Sequence, residues 1–322
     1  MSKLKTWLGR TTCVLLALAA APAFAWPDRP IELVVPYPPG GATDVIARMV
    51  AEKLPTYLDQ PVVVRNQPGA GTTLAAVQVA RSKPDGYKLY MTTAAHTISA
   101  SLYKKLHYDP IKDFEPISLS ATIPLVLVAT NSLPVTDLKS LIDYAKKSPE
   151  GLTMASTGNG TPQHLTGELF KAKTDIPLTH IPYRGDSPML TDLLGGQVQV
   201  AFVTLSAAQP HILAGKLRPI ALAHPTRVAS IKDVPTMEEA GLPGFHSATW
   251  FGIFAPAGLD PAIREKLQAS IQKAVATPEL TNRLRDMGAE VNNSSSKEFA
   301  AFIDVELKNW AEGVRLSGAS VD

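Results

Sequence analysis

A nine-residue motif near the start of the chain has the composition of a small anion-binding turn. Residues 36–44 read PYPPGGATD, with two glycines directly after three prolines. Glycine lets the backbone approach a ligand closely, and a helix that begins here would offer unpaired N–H groups and a partial positive charge. Gly40 and Gly41 are therefore candidate contacts for a carboxylate or a phosphate. The alternative is an ordinary turn between a strand and a helix.

Asp44 ends this motif with a negative charge. In the first turn of a helix, a carboxylate favours the helix dipole and can accept hydrogen bonds from free N–H groups. The same carboxylate pointed at an anionic ligand would repel it. Asp44 is therefore expected either to brace the loop or to contact a cationic group of a ligand.

Two further glycine turns follow strand-like segments. Residues 68–73 read PGAGTT, and residues 157–164 read TGNGTPQH. Open α/β sheets bind their ligands at the carboxyl ends of the strands, so turns from separate sheets could converge on one cleft. The candidate ligand contacts in these two turns are Ala70, Gly71, Thr72, Thr157, Gly158, Asn159 and His164.

Motifs typical of enzymes and of nucleic-acid-binding proteins are missing from the sequence. It contains no G-x-S-x-G elbow, no phosphate-binding G-x-x-x-x-G-K-[ST] loop and no H-E-x-x-H zinc motif. The histidines are scattered, which favours packed or surface roles over catalysis. The 31 Lys and Arg residues are balanced by 29 Asp and Glu residues, which argues against nucleic-acid binding. No cofactor or metal is predicted, and a secreted α/β hydrolase or isomerase acting on a carboxylic acid is the enzyme alternative.

The elements that must position these turns follow an alternating pattern. Apolar runs at residues 31–35, 61–64 and 87–91 predict strands, and helical spacing of apolar residues between them predicts a β-α-β-α-β unit with a parallel sheet. A second such series begins after residues 124–128. Its strands are expected at 152–155, 197–203 and 217–223, and residues 249–254 predict one more. The pattern therefore predicts two α/β lobes, with the chain crossing between them near Leu127 and Phe251.

The first 25 residues have the pattern of a secretory signal peptide. Basic residues precede an apolar run at 14–21, and Ala23-Phe24-Ala25 fits the small-residue rule for cleavage. The run is shorter than the roughly 20 residues of a membrane span. We therefore expect an exported protein cleaved near Ala25. The single cysteine, Cys13, lies within this segment, so no intramolecular disulfide is possible.

The order and spacing of many short motifs resemble the Bug family, the extracytoplasmic substrate-binding receptors of tripartite tricarboxylate transporters. The resemblance covers nearly the whole chain after the signal segment. It is carried by residues 36–44, 66–71, 84–87, 108–110, 112–114, 183–185, 191–197, 218–221, 234–236, 239–241 and 250–252.

This resemblance implies a two-lobed periplasmic binding protein of the type II, or flytrap, class, in which each lobe has a mainly parallel sheet flanked by helices. The implied domains are a signal peptide (1–25), a first lobe (26–127 and 247–322) and a second lobe (128–246). The implied function is to capture a small carboxylate and deliver it to membrane permease subunits, as a periplasmic monomer. A ligand-sensing receptor for a signalling system is the alternative within the family.

The resemblance also extends the candidate site. It implies additional ligand contacts at Tyr37, Thr93, His96, Tyr183, Gly185 and Thr204. Arg184 has two interpretations, since it could form a fork for a carboxylate at the cleft or a solvated surface charge. Val203-Thr204-Leu205 stands where the family often has an acidic or amide residue, which weakens the case for recognition of a ligand amine.

Overall fold

The computed structural model describes residues 26–321, and the predicted signal peptide lies outside them. Strands within this range form one curled, mixed sheet, whose path runs β2-β1-β3-β9-β4-β7-β5-β6, with β8 and β10 also paired to β4. The strands are β1 (Ile31–Val35), β2 (Val62–Asn66), β3 (Lys88–Thr92), β4 (Phe114–Thr130), β5 (Leu152–Ser156), β6 (Leu178–Pro182), β7 (Val200–Thr204), β8 (Leu217–Leu222), β9 (Ala248–Pro256) and β10 (Glu290–Val291).

Helices flank this sheet. They are α1 (Ala42–Lys53), α2 (Pro55–Leu58), α3 (Thr73–Ala80), α4 (Ala95–Leu102), α5 (Leu138–Lys147), α6 (Pro162–Thr174), α7 (Asp186–Leu194), α8 (Leu205–Leu213), α9 (Pro261–Val275), α10 (Pro278–Asp286) and α11 (Ser296–Ser317). Short 3₁₀ helices occupy Ala70–Thr72 and Ala229–Ile231. Within residues 26–321, no helix combines the length and the apolar character needed to cross a bilayer.

The strand β4 pairs with different strands along its length. Residues 114–124 of β4 pair with β9, whereas residues 125–130 pair with β7 and β8. We call the half of the sheet formed by β2, β1, β3, β9 and the start of β4 the first lobe. The other half, formed by the end of β4 with β7, β5, β6 and β8, is the second lobe. In the first lobe β2, β1 and β3 are parallel, and in the second lobe β7, β5 and β6 are parallel.

Of the helices α3, α6 and α11, the last two begin at a residue whose side chain caps the helix. Thr161 caps α6 by accepting a hydrogen bond from the His164 N–H, with Pro162 at the first position, and Ser295 forms a capping box with Glu298 at the start of α11. Thr72 precedes α3 but makes no side-chain cap, because its backbone is left-handed with φ of +80°. Its hydroxyl is buried without a partner.

The C-terminal helix α11 packs against both lobes, contacting α4 of the first lobe and α6 of the second. Trp250, Phe299 and Trp310 share one buried cluster with Leu165 of α6. Within it, Glu306 accepts hydrogen bonds from the indole N–H groups of both tryptophans, each at 2.8 Å. Burial raises the pKa of Glu306, and these two hydrogen bonds partly oppose the effect.

Candidate ligand-binding cleft

The loop of residues 36–44 joins β1 to α1 and is held by Asp44. The Gly40 N–H donates to Asp44 Oδ2 at 3.0 Å, the Asn66 side chain donates to Oδ1 at 2.8 Å, and Arg48 forms an ion pair at 3.0 Å. Burial would raise the pKa of Asp44, but the hydrogen bonds from Arg48, Gly40 and Asn66 hold it below its usual value. Asp44 therefore braces the loop, which is the first of its two predicted roles.

A small cavity, which we call the inner cavity, lies between the lobes at the ends of their strands. Its volume is about 10 Å³, which is room for one water molecule. Both lobes contribute its lining: Tyr37, Ala42, Thr43, Thr93, Thr249 and Phe251 from the first, and Thr157, Gln163, Asp186 and Thr204 from the second. Topological switch points of this kind are the usual ligand sites of open α/β sheets.

A larger and more open cavity adjoins it. This outer cavity has a volume of about 280 Å³. It is lined by Pro36, Tyr37, Pro38, Pro68, Gly69, Ala70, Gly71 and Thr72 from the first lobe and by Thr157, Gly158, Thr161, Tyr183 and Arg184 from the second. Tyr37 and Thr157 line both cavities, so the two are adjacent.

The inner cavity is rich in buried polar atoms. The Tyr37 hydroxyl is hydrogen-bonded to Thr93 Oγ1 at 2.9 Å, and its pKa is raised by burial. Thr157 donates to Gln163 Oε1 at 3.1 Å. The hydroxyls of Thr204 and Thr249, each on a residue only 2 % exposed, have no hydrogen-bond partner. Buried polar groups in proteins are nearly always hydrogen-bonded, so these hydroxyls indicate a place where a ligand or water would bind.

Asp186, the first residue of α7, brings a carboxylate into the inner cavity. Its Oδ2 accepts a hydrogen bond from the Ala42 N–H at the start of α1, at 3.1 Å, while its Oδ1 is buried without a partner. Burial raises the pKa of Asp186, and the bond from Ala42 only partly opposes this. Because Ala42 and Asp186 belong to different lobes, this hydrogen bond links them directly.

Glycines allow the close approach of the lobes at this point. A Cβ added to Gly41 would lie 2.8 Å from Asp186 Oδ2, and one added to Gly185 would lie 2.9 Å from Pro38 Cδ. Gly71 has φ of +58°, and a Cβ there would meet the Tyr103 hydroxyl and lie 2.7 Å from the Asn159 carbonyl oxygen of the other lobe.

Two histidines, His164 and His180, help to hold the second-lobe turn at residues 157–164 in place. His164 Nδ1 accepts the Gly160 N–H at 3.2 Å, and the His164 ring stacks on His180 with centroids 4.0 Å apart. Burial lowers the pKa of His164 to about 4, and burial together with His164 lowers the pKa of His180 to about 3. His164, His180 and Glu168 each offer a ligand atom within 4.8 Å of the others, so these are the residues that could hold a metal ion such as Zn²⁺.

His96 does not line either cavity, contrary to its expected place in the site. Its ring lies in the aromatic core, with centroids 4.7 Å from both Phe114 and Phe254. Nε2 donates to the Pro110 carbonyl at 2.7 Å, and burial lowers the pKa of His96 to about 4. The ring is held in the core by Phe114 and Phe254, which come from distant parts of the chain.

Arg184 and Tyr183 lie at the outer cavity. Arg184 is exposed there, on the turn that connects β6 to α7. The Tyr183 hydroxyl donates to Asp192 Oδ2 at 2.7 Å, and burial, aided by Asp192, raises its pKa to about 12. The Tyr183 hydroxyl is therefore already hydrogen-bonded within the protein, whereas the Arg184 guanidinium forms no ion pair with any of residues 26–321.

The structure brings most of the predicted site residues to the two cavities. Tyr37, Thr93, Thr157 and Thr204 line the inner one, and Tyr37, Ala70, Gly71, Thr72, Thr157, Gly158, Tyr183 and Arg184 line the outer one. Gly40, Gly41, Asp44, His96, Asn159, His164 and Gly185 line neither cavity.

Three lining residues lie outside every segment in which ligand contacts were predicted: Asp186, Thr249 and Phe251. Asp186 directly follows the Tyr183-Arg184-Gly185 motif and precedes a helix, which was an available signal for a residue at the cleft. Thr249 and Phe251 lie at the start of an apolar strand, where nothing local distinguishes a lining residue from a core residue.

Comparison with known proteins gives consistent matches over the whole described fold. The family described as "Tripartite tricarboxylate transporter family receptor" matches residues 46–317. A Rhodopseudomonas palustris protein solved with adipate, Rpa4515, is 35% identical with a TM-score of 0.88, covering 92% of this chain and 99% of that chain. The periplasmic binding protein BugD gives the same identity, TM-score and coverage. MatC from Rhodopseudomonas palustris, solved with bound malate, is 33% identical with a TM-score of 0.86, covering 90% of this chain and all of that one.

Proposed function

We propose that this chain, which belongs to the tripartite tricarboxylate transporter receptor family, captures a small carboxylate between its lobes and presents the closed form to a membrane permease. Membership confirms the predicted resemblance to the Bug family and the two-lobed periplasmic binding protein fold. The chain is thus a periplasmic solute-binding receptor. Of the three structural relatives described above, Rpa4515 was solved with adipate and MatC with malate.

The observation that carries the proposal is the set of unpartnered buried oxygens contributed by both lobes. Thr249 of the first lobe and Thr204 of the second reach the inner cavity with nothing to bind. Next to them, Gly69, Gly71 and Gly158 of the glycine turns border the outer cavity with Arg184. Backbone N–H groups of such turns and a guanidinium are suitable donors for a carboxylate.

The same arrangement explains how binding would be coupled to closure. Ligand contacts made by both lobes exist together only in the closed form, so a ligand stabilises that form by the difference between its affinities for the two states. A closed, desolvated cleft also strengthens each hydrogen bond to the ligand. No step of this cycle requires a nucleophile or base, so we propose binding without turnover.

The finer features of the proposal are the following. The ligand contacts are the predicted residues that line the two cavities, together with Asp186, Thr249 and Phe251. The domains run from 26 to 127, from 128 to 246 and from 247 to 322. The protein is a monomer that requires no cofactor, is exported with cleavage near Ala25, and works with permease subunits rather than with a signalling partner.

The test is a thermal-unfolding screen of the purified protein lacking residues 1–25, with adipate and malate as the first acids and 1,6-hexanediol as the uncharged analogue of adipate. At ~100 times its dissociation constant, a ligand should add about 2.7 kcal/mol to the free energy of unfolding. Stabilisation by an acid, with the acid recovered unchanged, supports a receptor. Conversion of the acid would support the enzyme alternative, and equal effects of adipate and hexanediol would contradict carboxylate recognition.

A further inference from the structure

We infer that Asp186 makes the inner cavity select a carboxylate ligand that also carries a protonated nitrogen, as an amino acid or another amino-substituted acid does. This inference rests on the proposed function, because it names the class of acid that the same cleft takes. It departs from the expectation drawn from residues 203–205, because the carboxylate comes from Asp186 at the start of α7 and not from the end of β7.

Asp186 presents a buried oxygen for which the protein supplies no counterpart. Its one hydrogen bond is the 3.1 Å contact from the Ala42 N–H to Oδ2, and Oδ1 has no partner. No basic side chain among residues 26–321 is paired with it, and no positive charge opposes the effect of burial on its carboxyl group. Burying a carboxylate is costly unless it is paired with a donor, so a cationic group from a ligand would complete the site.

The start of α1 already has a carboxylate beside it. An anion would be attracted to the free N–H groups at this helix start, but Asp186 Oδ2 already accepts the Ala42 N–H there. A second carboxylate at the same place would face the charge of the first. The group of the ligand that enters the inner cavity is therefore a donor, and the carboxylate of the ligand has to bind elsewhere.

The outer cavity offers that second place. It adjoins the inner cavity through Tyr37 and Thr157, and it contains Arg184 and the glycine turns of both lobes. Arg184 and Asp186 are separated only by Gly185, yet they line different cavities. One turn thus presents a positive group to the outer cavity and a negative group to the inner one, which matches the two charges of a zwitterion.

The chemistry of the inner cavity suits a primary ammonium. Such a group has three N–H donors and no acceptor, and three residues that line this cavity each carry a buried oxygen without a hydrogen-bond partner: Asp186 (Oδ1), Thr204 (Oγ1) and Thr249 (Oγ1). The volume of about 10 Å³ admits a group of the size of one water molecule. An ammonium fits that size, whereas a carboxylate is larger and would bring acceptors to a cavity that already holds one charged acceptor.

The experiment is isothermal titration calorimetry with matched pairs of acids that differ by one amine: glutamate and glutarate, and 4-aminobutyrate and butyrate. The proteins are the wild type, Asp186→Asn, and Asp233→Asn as a control for loss of an exposed carboxylate outside the cleft. Circular dichroism at the titration temperature verifies that all three are folded. Asp186→Asn keeps the side-chain size and removes the charge.

We expect the wild type to bind the aminated member of a pair at least about tenfold more tightly, as hydrogen bonds to charged groups imply. Asp186→Asn should lose that preference and bind the unaminated acid as well as the wild type does, or better. Asp233→Asn should retain the preference.

Two results would overturn the inference. Tighter or equal binding of the unaminated acids by the wild type would overturn it and leave the carboxylate receptor standing, and so would an unchanged amine preference in Asp186→Asn. Failure of all four acids, together with adipate and malate, to bind the wild type would instead overturn the proposed function, and the inference with it.

Discussion

His96 allows the acid sensitivity of this fold to be predicted from a single side chain. The residue is 1% exposed, and its Nε2 is used as a donor to the Pro110 carbonyl. Its Nδ1 is buried without a partner. A proton added at Nδ1 would therefore place a charged donor between Phe114 and Phe254 with no acceptor to receive it.

The magnitude follows from the difference between the folded and unfolded pKa values. Burial lowers the pKa of His96 from 6.5 to about 4 in the folded protein. As the pH falls from 6.5 towards 4, His96 is protonated in the unfolded chain but stays neutral in the folded protein, so the free energy of unfolding decreases. At 1.36 kcal/mol for each pKa unit, His96 alone accounts for a loss of about 2 kcal/mol between pH 7 and pH 5.

The assay is urea unfolding at pH 7 and pH 5 for the wild type and for His96→Gln. Glutamine can keep a donor for the Pro110 carbonyl but does not titrate. All other groups, including His164 and His180, are present in both proteins, so their contributions cancel in the difference. The wild type should lose about 2 kcal/mol more than the variant on acidification. Equal losses in the two proteins would refute the assignment of His96 as a buried neutral histidine.

Two substitutions test the loops of the cleft. Asp44→Asn removes the ion pair with Arg48 and should lower the free energy of unfolding, measured with urea at pH 7, by about 1–3 kcal/mol. Because the pKa of Asp44 is lowered in the folded protein, the difference in stability between variant and wild type should shrink as the pH falls below 4. A difference that is constant with pH would contradict this reasoning. Gly71→Ala adds a Cβ beside the Asn159 carbonyl of the other lobe, so it should weaken binding of the identified acid at least about tenfold by calorimetry. Gly215→Ala is the control, because Gly215 has a similar φ of +65° but no atom within 4 Å of the added Cβ. This variant should introduce backbone strain without loss of affinity. Equal losses of affinity in the two variants would show that closure is not involved.

The fold was predictable from sequence where the local signals agreed. Runs of β-branched residues separated by glycine turns gave the first β-α-β-α-β unit, and cap residues gave the starts of α6 and α11. The first half of β4 was not predicted, because its sequence contains prolines, serines and threonines. Residues 114–124 are extended because they pair with β9, and this pairing is a long-range contact that no local pattern records.

Only those parts of the site that are formed by continuous sequence motifs could be predicted. The glycine turns are visible as motifs, and the structure brings the first-lobe turn at residues 69–72 next to the second-lobe turn at residues 157–161. The Asp186 contact with Ala42 joins residues 144 positions apart, so the role of Asp186 could not be read from its neighbours. The core position of His96 could not be predicted for the same reason, since the aromatic rings that enclose it come from other parts of the chain.

The position of β9 also determines the order in which the protein can fold. β9 lies between β3 and β4 in the sheet, although the whole second lobe separates it from them in the chain. The first lobe therefore cannot complete its sheet until β9 (Ala248–Pro256), which begins after residue 247 of 322, has been synthesised. Contacts between such distant segments slow folding. A late-completing lobe keeps a newly made chain unfolded for longer, and a polypeptide that must be threaded through a membrane before it folds benefits from that delay.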